Sequence, residues 1–348
     1  MNAHWFYYLV KSTGWLGSQL FFGGIKILGK DKFPTDGAVL LAPNHQGAFM
    51  DAIVAGTFAK KPVSFLTRAD VFNKWTNPIL KSLNMMPIYR IRDGIQSLSQ
   101  NDAVFDTCFK MLSEERVILI FPEGNHGKEH YLRPISKGTA RLALDARDQI
   151  DPNTKIYIVP VGINYFSHSQ PLAKVFLKYG DPIELSQYME IYREHKQKGY
   201  NTLKADLTQA MKDVLILPEN DENYEKKKEW IFQSKHESLS FDKLKEMGRG
   251  DHYEEVKPRK KNFFVKMLIA FFSIFNFPAL LGLKKLLGIV KDPVFKVSLK
   301  YLGGGIFHIL WWIIVYTIGA TTIGWEAGLL FVTTCIMTMY ARQSLIKF

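Results

Sequence analysis

Cysteine is the scarcest chemistry-bearing residue in this chain. Cys108 and Cys335 are the two thiols in 348 residues, far apart and both in apolar surroundings. That excludes a disulfide framework and a cysteine-rich metal site, and leaves two buried thiols. No internal repeat or low-complexity tract is present, which excludes a repeat array. Acidic residues are in deficit, 33 against 45 Lys and Arg, for a formal net charge of +12. The imbalance calls for an anionic partner: nucleic acid, anionic lipid or an acidic carrier protein. Aromatic residues make up 14%, but they crowd into the apolar ends of the chain instead of alternating with Lys and Arg. That distribution argues against nucleic acid and for a membrane surface. The first residues also lack the order of basic residues, apolar core and small-residue cleavage site of a signal peptide. Trp5, Phe6, Tyr8, Leu9, Trp15, Leu16, Leu20, Phe21, Ile25 and Ile27 instead recur at spacings that a helix gathers on one side. Residues 1–32 are therefore expected to form an amphipathic, membrane-associating segment, although packing on the protein's own core fits the same pattern.

The length gives room for one sizeable domain plus a smaller one. From residue 37 to about 183, strand-like and helix-like runs alternate. Residues 38–41, 63–67, 86–89, 117–121, 155–161 and 173–178 read as strands, and 52–59, 78–83, 95–113 and 136–148 as helices. The alternation predicts an α/β domain over residues 33–183, a mostly parallel sheet flanked by helices. Residues 184–262 are rich in Lys, Glu, Asp and Asn. They predict a charged extension of exposed helices with a loop at 217–223, ending in a linker over 247–262.

Residues 263–348 are predicted to be C-terminal membrane-embedded helices. Residues 301–325 are uncharged, long enough to cross a hydrocarbon core of roughly 30 Å. Two weaker segments accompany this span: 267–283, broken by Asn276 and Pro278, and the short run 327–341. They are read as a bent hairpin or re-entrant pair. The basic cluster at 257–261 predicts that its side of the membrane is cytoplasmic.

Four short stretches carry the candidate chemistry. In the first, Ala42-Pro43-Asn44-His45-Gln46-Gly47-Ala48-Phe49-Met50-Asp51, a histidine and an aspartate occupy the hand-over from strand to helix. In an open α/β sheet that crevice is where ligands bind. A neutral imidazole can take a proton from a hydroxyl, and a carboxylate on its other nitrogen fixes the tautomer and stabilises the cation. No serine or cysteine is adjacent, so direct attack by a substrate hydroxyl on an activated carbonyl is the better reading. By itself such a pair is more often a cap or a packed turn residue; the other stretches give it weight. In Met86-Pro87-Ile88-Tyr89-Arg90-Ile91-Arg92-Asp93-Gly94, a strand ends in two arginines whose planar forks suit a phosphate. In Ile120-Phe121-Pro122-Glu123-Gly124-Asn125, a carboxylate and a glycine end a strand, and Lys137 follows near a helix start, where it favours an anion. The fourth stretch, residues 158–164, reads as sheet and pocket wall. A competing pattern, His126-Gly127-Lys128-Glu129-His130, fits H-x-x-E-H. Zinc would need both histidines one turn apart on a stable helix. The nearby Pro122, Gly124, Gly127 and Pro134 predict a loop, so no metal site is expected.

Taken in order, the four stretches resemble the sequence blocks of the glycerolphosphate and lysophosphatidate acyltransferase family, over residues 33–181. The Phe-Pro-Glu-Gly block with its later Lys-Gly is the most specific. The family's commonest spacing leaves four residues between His and Asp. Here five intervene, as in a branch whose block reads Asn-His-Gln-Asn and whose C-terminus is apolar; Gly47 stands where that branch tends to have Asn. The resemblance implies that His45 is the general base and Asp51 its support. It places Arg90, Glu123, Gly124 and Lys137 at the acceptor's phosphate, with Arg92 a second candidate for the role of Arg90.

The expected protein is thus a membrane-bound O-acyltransferase of phospholipid biosynthesis with its catalytic domain facing the cytoplasm. It would use acyl-CoA or acyl-carrier protein as co-substrate, a lysophospholipid such as 1-acylglycerol-3-phosphate as acceptor, and no bound cofactor. The alternatives are acylation of glycerol 3-phosphate or of another lysolipid or amino lipid, and a non-catalytic lipid-binding adaptor.

Overall fold

The apolar run at 38–41 becomes the middle of a sheet. The computed structural model describes residues 4–89, 100–168, 170–250, 252–256 and 261–347. The chain opens with α1 (His4–Phe21), β1 (Ile25–Leu28), β2 (Ala38–Pro43), α2 (Phe49–Phe58) and β3 (Val63–Arg68). It continues through α3 (Asn77–Ser82), β4 (Met85–Ile88), α4 (Gln100–Ser113), β5 (Val117–Leu119) and α5 (Lys137–Gln149). Then come β6 (Ile156–Tyr165), β7 (Val175–Tyr179), β8 (Ile183–Glu184), α6 (Met189–Glu194), α7 (Lys196–Asp213), α8 (Tyr224–Ile231) and α9 (Phe241–Arg249).

The strands form one sheet in the order β1-β7-β6-β2-β5-β3-β4, with β8 beside β6. β2 pairs in parallel with β5 and β6, β3 with β4 and β5, and β1 with β7. β6 runs antiparallel to β7 and β8. Every residue of β2 and β5 is buried. Strands covered on both faces read as continuous apolar runs rather than alternating ones, which is why the periodicity found them. On one face Leu40 packs with Leu112, Ile118, Leu142 and Leu207; on the other Val39 and Leu41 pack with Met50, Val54 and Leu119.

Three expectations change. Ile25 and Ile27, grouped with the N-terminal helix, belong to β1, so the sheet starts before residue 33. α2 starts at Phe49 rather than Ala52, which puts Asp51 in its first turn. The charged extension is less exposed than its composition suggests. α7 buries Leu203, Leu207 and Met211 on one stripe, while Trp230, Ile231, Phe241 and Leu244 form a third core with Phe166 and Phe176. Part of the expected linker is helical, to Arg249, and Tyr253 and Val256 pack on that core.

Beyond Asn262 lie α10 (Phe263–Ile274), α11 (Phe277–Ile289), α12 (Pro293–Thr322) and α13 (Trp325–Lys347). α12 and α13 are long and apolar enough to cross a membrane, with mean hydropathy of 1.6 and 1.3 over their most apolar windows. The run at 327–341 therefore underestimates α13, because the charged Arg342 and Lys347 stay within the helix. α10 and α11 meet at a bend of 102°. The break is the expected one at Asn276, and neighbouring helices satisfy its polar groups. Trp312 Nε1 donates to Asn276 Oδ1 at 3.1 Å, Asn276 Nδ2 donates to the Cys335 carbonyl at 2.8 Å, and Trp311 Nε1 donates to the Phe275 carbonyl at 2.8 Å. The two ends of this region lie together and reach the α/β domain: Lys261 Nζ donates to the Leu345 carbonyl at 2.7 Å, and Lys347 Nζ donates to the Leu172 carbonyl at 2.6 Å and pairs with Glu237.

Docking of the extension depends on Gly162 in β6, where a Cβ would lie 1.9 Å from the Val214 carbonyl oxygen. That neighbour is main chain and cannot rotate away. Gly162→Ala is expected to destabilise the fold by about 3 kcal/mol, at the upper end of overpacking costs, measured as a lowered thermal midpoint in detergent.

Candidate active site

The turn between β2 and α2 carries the histidine and aspartate read from sequence, and the structure brings them together. His45 Nδ1 lies 2.9 Å from Asp51 Oδ2. The same carboxylate oxygen accepts the Gly47 N–H at 2.7 Å, and Oδ1 accepts the Tyr165 hydroxyl at 2.8 Å. Asp51 is fully buried, so these three donors replace its hydration. The spacing of five residues works because the chain makes a tight turn at Ala48, with φ 49° and ψ −122°.

Burial holds the His45 imidazole below its ordinary pKa, with Asp51 opposing. The ring is neutral at neutral pH and fit to accept a proton. With Nδ1 turned to Asp51, Nε2 is the free basic nitrogen. The ring stacks on Phe121 at 3.8 Å, and His126 stands edge-on at 5.6 Å.

Glu123 proves to be a clamp on this turn rather than a group offered to a ligand. Its side chain is 1% exposed, and its Oε2 lies 2.6 Å from Arg133 Nη2. Oε1 accepts the His45 N–H at 3.0 Å. Arg133 and the Gly127 N–H both donate to the His45 carbonyl, at 3.0 and 3.1 Å. Burial pushes the Glu123 carboxyl up to about 7, against the pull of Arg133 and the His45 N–H. Gly124 takes φ 66°, a turn conformation that favours glycine. Ser136 N donates to the Pro122 carbonyl at 2.8 Å, which places exposed Lys137, the first residue of α5, beside this turn. Arg90 and Arg92 lie outside the described residues.

Sequence reading missed Arg133, Tyr165, Asn44 and His168 as parts of this assembly. Asn44 exchanges two hydrogen bonds with the Ile163 backbone, at 3.1 and 2.7 Å, and so stitches the turn to β6. His168 contacts Gln46 Oε1 at 3.3 Å and packs on Tyr165. The H-x-x-E-H residues lie in a loop, as expected. Glu129 pairs with Lys228 and Tyr224, and His130 stacks on Phe232. Among the described residues, no group of three His, Cys, Asp or Glu is placed to hold a metal ion.

A neutral imidazole with a buried carboxylate behind it, to which no serine or cysteine hydrogen-bonds among the described residues, has the chemistry to serve as a general base. Comparison then shows what the domain is similar to: residues 24–164 match the family model described as Acyltransferase. Glycerol-3-phosphate O-acyltransferase 2 of Saccharomyces cerevisiae is 31% identical over 115 residues, which are 33% of this chain and 15% of that protein. The 1-acyl-sn-glycerol-3-phosphate acyltransferase of Bacillus subtilis is 28% identical over 123 residues, 35% of this chain and 57% of that one. The enzyme of the same name from Borreliella burgdorferi is 27% identical over 202 residues, 53% of this chain and 76% of that one. The first two matches thus span 15% and 57% of the relatives' own lengths. A solved structure, the LPA acyltransferase PlsC from Thermotoga maritima, aligns over 60% of this chain and 78% of its own, with 16% identity and a TM-score of 0.42.

Burial lowers the pKa of His168 to about 4 and that of His130 in the same direction. The unfolded chain binds these protons near 6.5, the native chain only at lower pH. Stability is therefore full above pH 6.5 and lost as pH falls towards 4. Thermal midpoints measured across this range should fall with acid, and His168→Gln should flatten the slope.

Proposed function

We propose that this protein is a membrane-bound O-acyltransferase of phospholipid biosynthesis, moving a fatty acyl group from acyl-CoA or acyl-carrier protein to 1-acylglycerol-3-phosphate. The observation that carries the reading is the buried, aligned His45–Asp51 pair within a domain of the Acyltransferase family. His45 Nε2 takes the proton of the acceptor hydroxyl as its oxygen attacks the thioester carbonyl. Asp51 stabilises the imidazolium. The tetrahedral intermediate collapses, the C–S bond breaks, and the departing thiolate recovers the proton from His45. An ester forms and a free thiol leaves. Thiolate is a good leaving group, so this chemistry asks for no metal or bound cofactor. Lys137, with Arg90 and Arg92, would steady the acceptor's phosphate.

The reading of an amphiphilic acceptor is supported by a largely apolar cavity of about 1270 Å³ between α1, α2 and the C-terminal helices. Phe49, Ala52 and Ile53 of α2 line it together with Tyr301, Gly304 and Leu283. Phe49 opens the helix whose first turn holds Asp51, so the cavity lies along the same helix as the site, although neither His45 nor Asp51 lines it. Lys261, Lys291 and Lys296 at the domain-side ends of the C-terminal helices support a cytoplasmic catalytic domain. Glycerol 3-phosphate is the second reading for the acceptor, favoured by the yeast relative's name.

The test is to offer purified protein a panel of lysolipids and glycerol 3-phosphate with both donors, and to identify products by mass. His45→Ala should lower kcat by about 10²- to 10⁴-fold, whereas a lipid-binding adaptor would lose no function. Activity should need the neutral ring, so the acidic limb of kcat/KM should have its midpoint below 6.5. Retained transfer in His45→Ala would end the proposal. A second variant probes the chain-binding cavity. A Cβ at Gly304 meets Leu283 Cδ2 at 3.7 Å, ordinary contact. Because Gly304 lines the cavity, the remainder of a leucine side chain would project into that space, and Gly304→Leu should shift preference towards shorter acyl chains in a competition assay.

A further inference from the structure

The Acyltransferase match ends at residue 164, yet the catalytic turn is completed by a residue well beyond it. Ser298, on α12 and 248 residues after Met50, is 3% exposed. Its hydroxyl oxygen accepts the Met50 N–H at 3.2 Å, and its proton goes to the Gly47 carbonyl at 3.2 Å. Gly47 is also the residue whose N–H binds Asp51 Oδ2, the oxygen that faces His45 Nδ1. Both sides of Gly47 are therefore held, its N–H by the carboxylate and its carbonyl by the Ser298 hydroxyl together with the Met50 N–H at 3.0 Å.

The turn needs such support. Ala48, between the two anchor points, sits at φ 49° and ψ −122°. A non-glycine residue in so sparsely populated a region costs about 1–3 kcal/mol and persists only where its surroundings over-determine it. α12 supplies further contacts nearby. Asp292 caps the helix through the Val294 N–H at 2.9 Å, and its other oxygen meets His126 Nε2 at 3.1 Å. Phe295 packs edge-on to His126 at 5.5 Å, and His126 in turn stands against His45. Tyr301, one turn on from Ser298, donates to the Gly14 carbonyl of α1 at 2.9 Å.

We propose that Ser298 is a positioning residue for acyl transfer: its hydroxyl clamps the strained 47–50 turn and so sets the alignment of Asp51 on His45. The membrane-spanning helix α12 is then part of the catalytic apparatus, and the acyltransferase domain is incomplete without it. The inference rests on the reading of His45 as general base. It concerns geometry behind the ring, so it can also be tested without substrate.

The experiment compares wild type, Ser298→Ala and Ser298→Thr as full-length protein in detergent, each normalised to folded molecules. The first readout is steady-state kinetics. Misplaced reacting groups cost up to about 10²-fold; Ser298→Ala should lose about tenfold in kcat with the KM of donor and acceptor unchanged. The second readout is the pH dependence of His45 carbethoxylation by diethyl pyrocarbonate, followed by the mass of its peptide. Asp51 raises the ring's affinity for a proton, so loosening that contact should move the midpoint to lower pH in Ser298→Ala. Ser298→Thr, which keeps the hydroxyl, should stay close to wild type in both. The proposal is overturned if the Ser298→Ala midpoint stays at its wild-type value, if kcat per folded molecule is unchanged, or if Ser298→Thr behaves like Ser298→Ala. Should wild type transfer no acyl group while the Ser298→Ala midpoint still moves, the functional reading fails and the clamp stands.

Discussion

The Asp51 carboxylate is the constraint on which the rest of the site depends. A charge with no exposure to water must find its donors inside the protein, because an unpaired buried carboxylate is far too costly to keep. It finds three: an imidazole, a backbone N–H and a phenol. Two come from the turn between β2 and α2 and one from a distant strand. The imidazole stands just past β2, the N–H lies in the turn, and the phenol ends β6. Satisfying one carboxylate therefore ties the two central strands to the first turn of α2.

A second layer secures the His45 main chain. Glu123 takes its N–H, while Arg133 and Gly127 take its carbonyl. The Phe-Pro-Glu-Gly block thus acts from beneath the histidine, through the backbone. Such a role is invisible in composition, since a glutamate near a strand end looks the same whether it faces a ligand or a peptide N–H. What decides between them is burial, and Glu123 is buried.

The α/β scaffold was largely legible because its strands are short, apolar and covered on both faces, so each registers as an uninterrupted run. The pairing of His45 with Asp51 was legible for a different reason: six residues across a turn is a local relation. Tyr165, Arg133 and Ser298 were not legible. Their contacts with the turn cross 114, 88 and 248 positions respectively, and neither spacing nor periodicity carries information over such separations. The charged extension misled through composition. Its helices place their few apolar residues on one stripe, so a polar average hides a buried face. Among the C-terminal helices the break at Asn276 was readable from Asn276 and Pro278, whereas the extent of α13 was not, because a charged side chain near a helix end interrupts hydropathy without ending the helix.

α12 joins two environments in one continuous element. Its first turns sit against the peptide that carries His45, and its remaining length is apolar enough to lie among lipid tails. A helix transmits displacement along its axis with little give, and spanning helices tilt to match the thickness of the bilayer around them. A thicker or thinner leaflet pair would change that tilt and carry the change to the carbonyl of Gly47. Under the proposed function, the His45 turn would thus be mechanically coupled to the material the product joins, and membrane composition would act as a physical input to the reaction.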